Sequence, residues 1–417
     1  MSYTLRISYA TMIAAAVIGV PFVVRGWRAA PAGVVLACGF LLVVYVVAGV
    51  VGVNPSLAVA AGGRASHTRW IVYILDLGVG LVSVGLILGL FRTRERVRQL
   101  LIALALGALL AAAYGIYQWF AQQHGWPLAN VDNAPNSDNF TTGARFQGLG
   151  LFGRERIRGT FVEPFALGIY LSAMLPLAAA VLAQQRRRWV LACGVTLIGA
   201  SLLLTDSSLA WASLLIALTT VATGSAIAGG RAVLAGTAAG VAALLGVLCI
   251  VTLAEPTVLS NVTARSGAQL RQTVTARTGA WEESSEIWAR RPLLGYGPGA
   301  SSVMLARVDN AVGVTSAPTV LGSAYGVWAA SLIDAGVFGL LAWAVVFAAV
   351  LIHSTRVALA TRSRLLWASL AAAVSAVVSA QVGGDRLDLR VWVLLALTLV
   401  VALVTPRETL ARRDTIV

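Results

Sequence analysis

An all-α polytopic transmembrane bundle is the fold class this sequence predicts, and three observations carry the prediction. The 417-residue chain is 58% hydrophobic and 12% charged, about half of the roughly 25% charge of a soluble domain. Mean hydropathy is +0.83. The apolar residues fall into runs of about 20, the length a helix needs to cross a bilayer core. No period-two alternation marks a membrane β-barrel. A single water-soluble domain, a disordered chain, a collagen and a disulfide-stapled secreted fold are all excluded.

Eleven spans are expected, within a range of ten to twelve. The first, Ile7–Val24, follows one arginine, Arg6, and lacks a clear small-residue cleavage site, so it reads as a retained span and not a removed signal peptide. Ala32–Val53, Ile71–Phe91 and Val97–Phe120 follow. Pro164–Ala183, Trp189–Thr205, Leu209–Ala228 and Ala232–Ala254 form a central set. Ala324–Ile352, Leu365–Val382 and a short, charge-interrupted Leu387–Val404 complete the series.

Arginine orients these spans, since all 31 basic residues are arginine. Arg25 and Arg28, Arg92 to Arg98, Arg186–Arg188, Arg231, Arg356 to Arg364 and Arg407 to Arg413 lie on alternating connections and total sixteen. The short connections between them hold Arg64, Arg69, Arg386 and Arg390. By the positive-inside rule the first set is cytoplasmic. That places the C-terminus inside and, with eleven spans, the N-terminus outside. Two long polar segments, 121–163 and 255–323, then fall outside and read as a pair of lids over a cavity open to the outer face. The chain divides accordingly: N-terminal helices over 1–120, an outer loop over 121–163, central helices over 164–254, a large outer loop over 255–323 and C-terminal helices over 324–417.

The net charge of +14 does not indicate nucleic acid, because the arginines lie between apolar runs and not on one face. Anionic lipid headgroups and a phosphate-bearing lipid substrate are the expected partners. Cys38, Cys193 and Cys249 all fall in apolar runs and read as small buried hydrophobes. His67, His124 and His353 have no ligand spacing, and no GxSxG, HExxH or Walker loop is present. Neither a metal nor a cofactor is expected.

Three constellations carry chemistry. Arg154-Glu-Arg156-Ile-Arg158-Gly-Thr-Phe-Val-Glu163-Pro164 leads directly into an apolar helix. Pro164 suits the first helical position, which puts Glu163 at or beside the N-cap. An arginine and a carboxylate at the mouth of a span have the chemistry to bind a diphosphate and deprotonate a hydroxyl. The alternative is an interfacial capping and snorkelling cluster. The second runs from Arg277 through Trp281, Glu282, Glu283, Glu286 and Trp288 to Pro292, then Gly295, Gly297 and Gly299. It predicts a helix over 277–290 and a glycine turn that approaches a ligand closely; the alternative is an amphipathic helix lying on the membrane surface. The third is Tyr325-Gly326 followed by Asp334-Ala-Gly336-Val-Phe-Gly339. Asp334, about ten residues into a span, should face the bundle interior or a partner, with Gly336 and Gly339 permitting close helix packing.

In this order the motifs resemble the O-antigen ligase and O-antigen polymerase family of bacterial membrane glycan transferases. The matching elements are Arg156-Ile-Arg158-Gly-Thr-Phe-Val-Glu-Pro, a Thr205-Asp206-Ser207-Ser208 turn, and the stretch from Arg277 to Gly297 followed by an acidic residue before Gly-x-x-Gly. Together they span about residues 145–345. The resemblance implies glycan transfer from a polyprenyl diphosphate carrier at the outer face of the plasma membrane, without metal or nucleotide. It implies that Arg158 and Arg277, with Arg156 beside them, hold the diphosphate. Partners would be the lipid-linked donor, a glycan or glycolipid acceptor, membrane lipids and a polysaccharide-assembly complex. Two positions depart from the ligase pattern: Tyr325-Gly326 stands in the register of a His-Asn pair, and Ser208 replaces the arginine of a Ser-Arg turn. Glu163 is therefore the expected base, with Tyr325 the second candidate. The Glu-Pro pair is closer to the polymerase side of the family. The rival readings are a transporter or flippase of a lipid-linked or amphipathic substrate, and a non-catalytic envelope-assembly scaffold.

Overall fold

In the computed structural model the described residues are 19–52, 66–127, 156–161, 164–184, 188–227, 279, 281–301, 304–305, 326–382 and 389–414. Every regular element among them is helical. A helical stretch over 19–29 (α1) precedes α2 (Ala32–Gly52), α3 (Ser66–Leu90) and α4 (Arg94–His124). Next come α5 (Pro164–Leu182), α6 (Arg188–Thr205) and α7 (Ser208–Ile227). A short helix over 281–289 (α8) is followed by α9 (Val327–Thr361), α10 (Arg364–Val382) and α11 (Leu389–Asp414). Six of these are long and apolar enough to cross a membrane, and three shorter apolar stretches lie within α6, α7 and α11. The chain is a polytopic membrane protein. Most of the first expected span and all of the eighth lie outside the described residues, as do most of the two long connections.

Lipid-facing and core-facing sides separate along individual helices. On α2, Leu36, Val43 and Val50 recur at sevens, one face of a helix, and Leu36 is 73% exposed. Val34, Cys38, Leu41, Tyr45 and Ala48 face inward from the other side. Such a fully apolar exposed stripe belongs in hydrocarbon. Cys38 is buried, as a small core hydrophobe should be, but Cys193 is exposed. The difference follows from position: α6 packs only on α4 and α5 among its principal neighbours, so much of its circumference faces outward.

The centre of the bundle is α10, which packs against α5, α7, α9 and α11. Besides Leu366, Trp367, Leu370 and Val377, many of its inward residues are small: Ala371, Ala372, Ala373, Ser375, Ala376, Ser379 and Ala380. Small residues let helices approach closely where no hydrophobic effect drives them together. Polar side chains then bridge the seams. The hydroxyls of Ser213 on α7 and Ser379 on α10 are 2.6 Å apart, and Thr398 of α11 donates to the Ser369 carbonyl of α10 at 2.9 Å. Around Tyr45 a second seam forms: its ring stacks on Tyr73 at 4.9 Å, and its hydroxyl accepts from Trp343 Nε1 at 3.0 Å and donates to Ser331 Oγ at 3.1 Å.

The bundle has two distinguishable ends. At one, an Arg92 Nη2 donates to the Arg25 carbonyl, joining two of the arginine-rich connections. At the other, here the loop end, lie the first residues of α5, the α6–α7 turn, the start of α11 and the glycine-rich segment after α8. Positive-inside alternation expects this segregation.

α9 departs from the expected straight span. Gly336, with φ 64° and ψ −156°, breaks it, and the two arms fold back on each other. Residues 328 and 347 would be about 28 Å apart along a straight helix, yet the Trp328 and Phe347 rings meet at 6.1 Å. Tyr45 likewise reaches both Ser331 and Trp343. Asp334 therefore sits at the tip of a helical hairpin and not ten residues into a membrane-crossing helix. Gly339 does pack close to a helix, its Cβ position lying 3.5 Å from the Tyr45 hydroxyl on α2. Gly336 serves a loop instead: a Cβ there would collide with the Leu293 carbonyl.

Candidate functional site

Residues 156–161 form a short, turn-rich segment wedged at the loop end. Ile157 is fully buried; its N–H donates to the Leu204 carbonyl at 3.3 Å. The Arg156 Nε donates to the Thr205 carbonyl at 2.8 Å. Both acceptors belong to the last turn of α6, where carbonyls lack helical partners. From α4, the buried Gln118 presents its Oε1 to the N–H groups of Arg158 and Gly159 at 2.9 and 2.8 Å. A turn then closes, with the Phe161 N–H donating to the Arg158 carbonyl at 3.0 Å. Three residues after Phe161, α5 begins at Pro164.

The α6–α7 turn is built to receive this segment. Asp206 takes a left-handed conformation at φ 46°, and Ser207 caps α7 by accepting from the Ala210 N–H at 3.3 Å. Two motifs separated by about 45 residues in sequence are thus one structural unit. Arg390, from the first turn of α11, completes it. Its Nη1 donates to the Ala166 carbonyl in the first turn of α5 at 3.3 Å, and its guanidinium lies 5.4 Å from the Phe161 ring centroid. The Phe161 ring in turn packs against Tyr170 at 5.2 Å. Phe161 thus meets the Arg158 carbonyl through its backbone and the Arg390 guanidinium through its ring, at the mouth of α5.

A second unit forms around the glycine-rich loop. α8 buries Ser284 and Ile287; Ile287 packs with Ala329 and Ile333 of the first arm of α9, together with Leu305. On the other sides Trp281, Glu282 and Glu286 are exposed, while Trp288 donates its indole N–H to the Pro292 carbonyl at 3.0 Å. The loop then enters the α9 hinge. Tyr296 and Gly297 donate to the Ile333 and Asp334 carbonyls at 2.8 and 2.9 Å, and the Val337 and Phe338 N–H groups donate to the Pro292 and Leu293 carbonyls at 2.9 and 3.5 Å. A broken helix exposes carbonyls on one arm and N–H groups on the other, and each unmet group would cost several kcal/mol away from water. This loop supplies partners to both. Gly295, at φ 64°, passes so close to Ile333 and Ala335 that a side chain would collide with their backbone. A narrow crevice lies beside the loop, lined by Gly52, Arg69, Trp70, Tyr296 and Pro298 among others.

Of the residues singled out from sequence, Arg156 and Arg158 lie in the first unit and Asp334 in the second. Glu163, Arg277 and Tyr325 lie outside the described residues, so their geometry is not described. Two residues of the site escaped sequence reasoning. Gln118 stands in an aromatic-rich helix end, where a lone amide is a weak signal. Arg390 was legible only as a connection arginine. Its position one residue into the last described helix was the available clue.

These features define a polytopic membrane protein with two interlocked loop units at one end. Residues 193–344, from within α6 through the α9 hinge, match the O-antigen ligase family model, and over this stretch the chain is similar to that family. No curated protein matches the chain at a significant level. The matched region includes the α6–α7 turn, Arg277 and the interlocked loop and hinge, while Arg156, Arg158 and Glu163 precede it.

Proposed function

We propose that this protein transfers a saccharide from a polyprenyl diphosphate carrier to a glycan or lipid acceptor at the outer face of the plasma membrane. The observation that carries the reading is the O-antigen ligase match over 193–344. In it, Arg158 and Arg277, with Arg156 beside them, hold the diphosphate and stabilise the charge that builds on it as the glycosidic C1–O bond breaks. The acceptor hydroxyl attacks C1 from the opposite side and inverts it. Glu163 takes the hydroxyl proton, Tyr325 offers a hydrogen bond, and polyprenyl diphosphate leaves. The embedded backbone of Arg158 supports this role, because Gln118 and the α6 terminus hold its turn while the residue stays partly exposed.

One observation bears on the transporter reading: broken helices are what many transporters use to build a midplane site, and α9 is broken. Its break, however, leaves 25 residues (337–361) beyond Gly336, about 37 Å of helix. That length crosses a hydrocarbon core, which puts the break at the loop end and favours a surface reaction over a midplane passage.

The test is incubation of the purified protein with a short lipid-linked oligosaccharide from its host, products being sized by gel and mass spectrometry. A ladder of longer glycans with released polyprenyl diphosphate is expected of a polymerase, and one added glycan on a distinct acceptor of a ligase. Arg158→Ala should abolish turnover with insertion and folding intact; full activity in that variant would refute the clamp. Unchanged donor with the wild-type protein would refute the transferase reading.

A further inference from the structure

The joint between the glycine-rich loop and the α9 hinge contains one buried carboxylate, and its partners are specific. Asp334 is wholly buried. One carboxylate oxygen accepts the Gly299 N–H at 2.8 Å and the other the Ser301 N–H at 2.7 Å. Each carboxylate oxygen thus carries a hydrogen bond to a backbone donor of the loop. The other bonds across this joint run backbone to backbone; among those described, Asp334 is the side-chain acceptor that reaches the loop from α9. It grips residues 299–301, downstream of the stretch that Tyr296 and Gly297 tie to the hinge.

We infer that Asp334 is a positioning residue: its carboxylate clamps the loop after α8 into the α9 hinge, and so holds α8 in place for the transfer reaction. Besides this clamp, four backbone bonds tie residues 292–297, directly after α8, to the hinge. α8 itself contributes Ile287 to a small core with Ala329, Ile333 and Leu305, and most of its surface is exposed. Both α8 and the first arm of α9 run into the hinge with their C-terminal ends, so releasing the clamp leaves only the main-chain bonds of residues 292–297 among those described to register one helix against the other. The activity readout rests on the transferase reading, whereas the clamp itself is tested without it.

Trypsin provides that independent test, because Arg290 lies just before the loop and is exposed, while the bond after Arg291 is protected by Pro292. In the purified full-length protein, Asp334→Ala should be cleaved after Arg290 at least about tenfold faster than wild type, since local opening exposes the site once two charge-assisted bonds are lost. Asp334→Asn, which keeps one acceptor, should fall between them. The thermal midpoint should also fall in Asp334→Ala, where both N–H groups lose their acceptor, and by less in Asp334→Asn. With donor substrate, Asp334→Asn should raise KM by about tenfold with a smaller effect on kcat. A Ser301→Cys, Asp334→Cys pair replaces the clamp by a disulfide. Once oxidised, as verified by mass, it should restore slow cleavage and activity, and reduction should remove both. Cleavage of Asp334→Ala no faster than wild type would overturn the inference, and so would an oxidised pair as inactive as the reduced one. A wild-type protein without transfer activity would defeat the transferase reading while leaving the cleavage comparison to decide the clamp.

Discussion

Gln118 shows how one side chain can set the geometry of a distant motif. Its Oε1 holds two consecutive N–H groups, those of Arg158 and Gly159, from a position 40 residues upstream. Removing the acceptor leaves two donors unmet in a largely buried turn, a cost of about 1–3 kcal/mol for each. Gln118→Leu should therefore lower the unfolding midpoint in detergent and reduce transfer as Arg158 loses its fixed backbone. Gln118→Glu keeps the acceptor and should retain stability better, so equal losses in the two variants would argue against the hydrogen bond. Sequence reasoning reached Arg158 because arginine, glycine and proline at the start of a span carry a mechanism. It did not reach Gln118, because an amide acts through whatever packs beside it.

α9 is the element whose local signals mislead. Its composition from Ala324 to Ile352 reads as one continuous apolar span, and Gly336 with Gly339 reads as a helix-packing pair. In the fold, Gly336 adopts a conformation that side chains disfavour and lies against the Leu293 carbonyl. Gly336→Ala adds both backbone strain and a collision, so a destabilisation of about 2 kcal/mol or more is expected by thermal unfolding. The fold-back itself has a direct check. A Trp328→Cys, Phe347→Cys pair should be joined by a short bifunctional maleimide, whereas a straight helix would hold the two about 28 Å apart and give no product.

At the scale of the molecule, the bundle is organised around the small-residue helix α10, with an arginine-rich end and a loop end. Orientation follows from charge and is open to measurement. A cysteine at Glu282, exposed on α8, should react with a membrane-impermeant maleimide in intact cells. One at Arg362, at the α9–α10 turn, should react only after permeabilisation. The reverse pattern would invert the topology and remove the outer-face site.

Fold class, helix order and the segregation of arginine were legible in the amino-acid sequence. Hydrocarbon leaves a chain of this composition few alternatives: backbone groups must close within helices, and charge must collect at their ends. The family resemblance was legible too, since its motifs are local runs in a set order. Pairings across long sequence distances were not. That Arg156 docks on the α6–α7 turn, that Arg390 joins Phe161 at the mouth of α5, and that Asp334 holds a loop 33–35 residues upstream all depend on which helix ends meet. Helix ends carry unmet N–H and carbonyl groups whatever the residue type. Their partners are therefore chosen by packing, and local sequence carries little record of the choice.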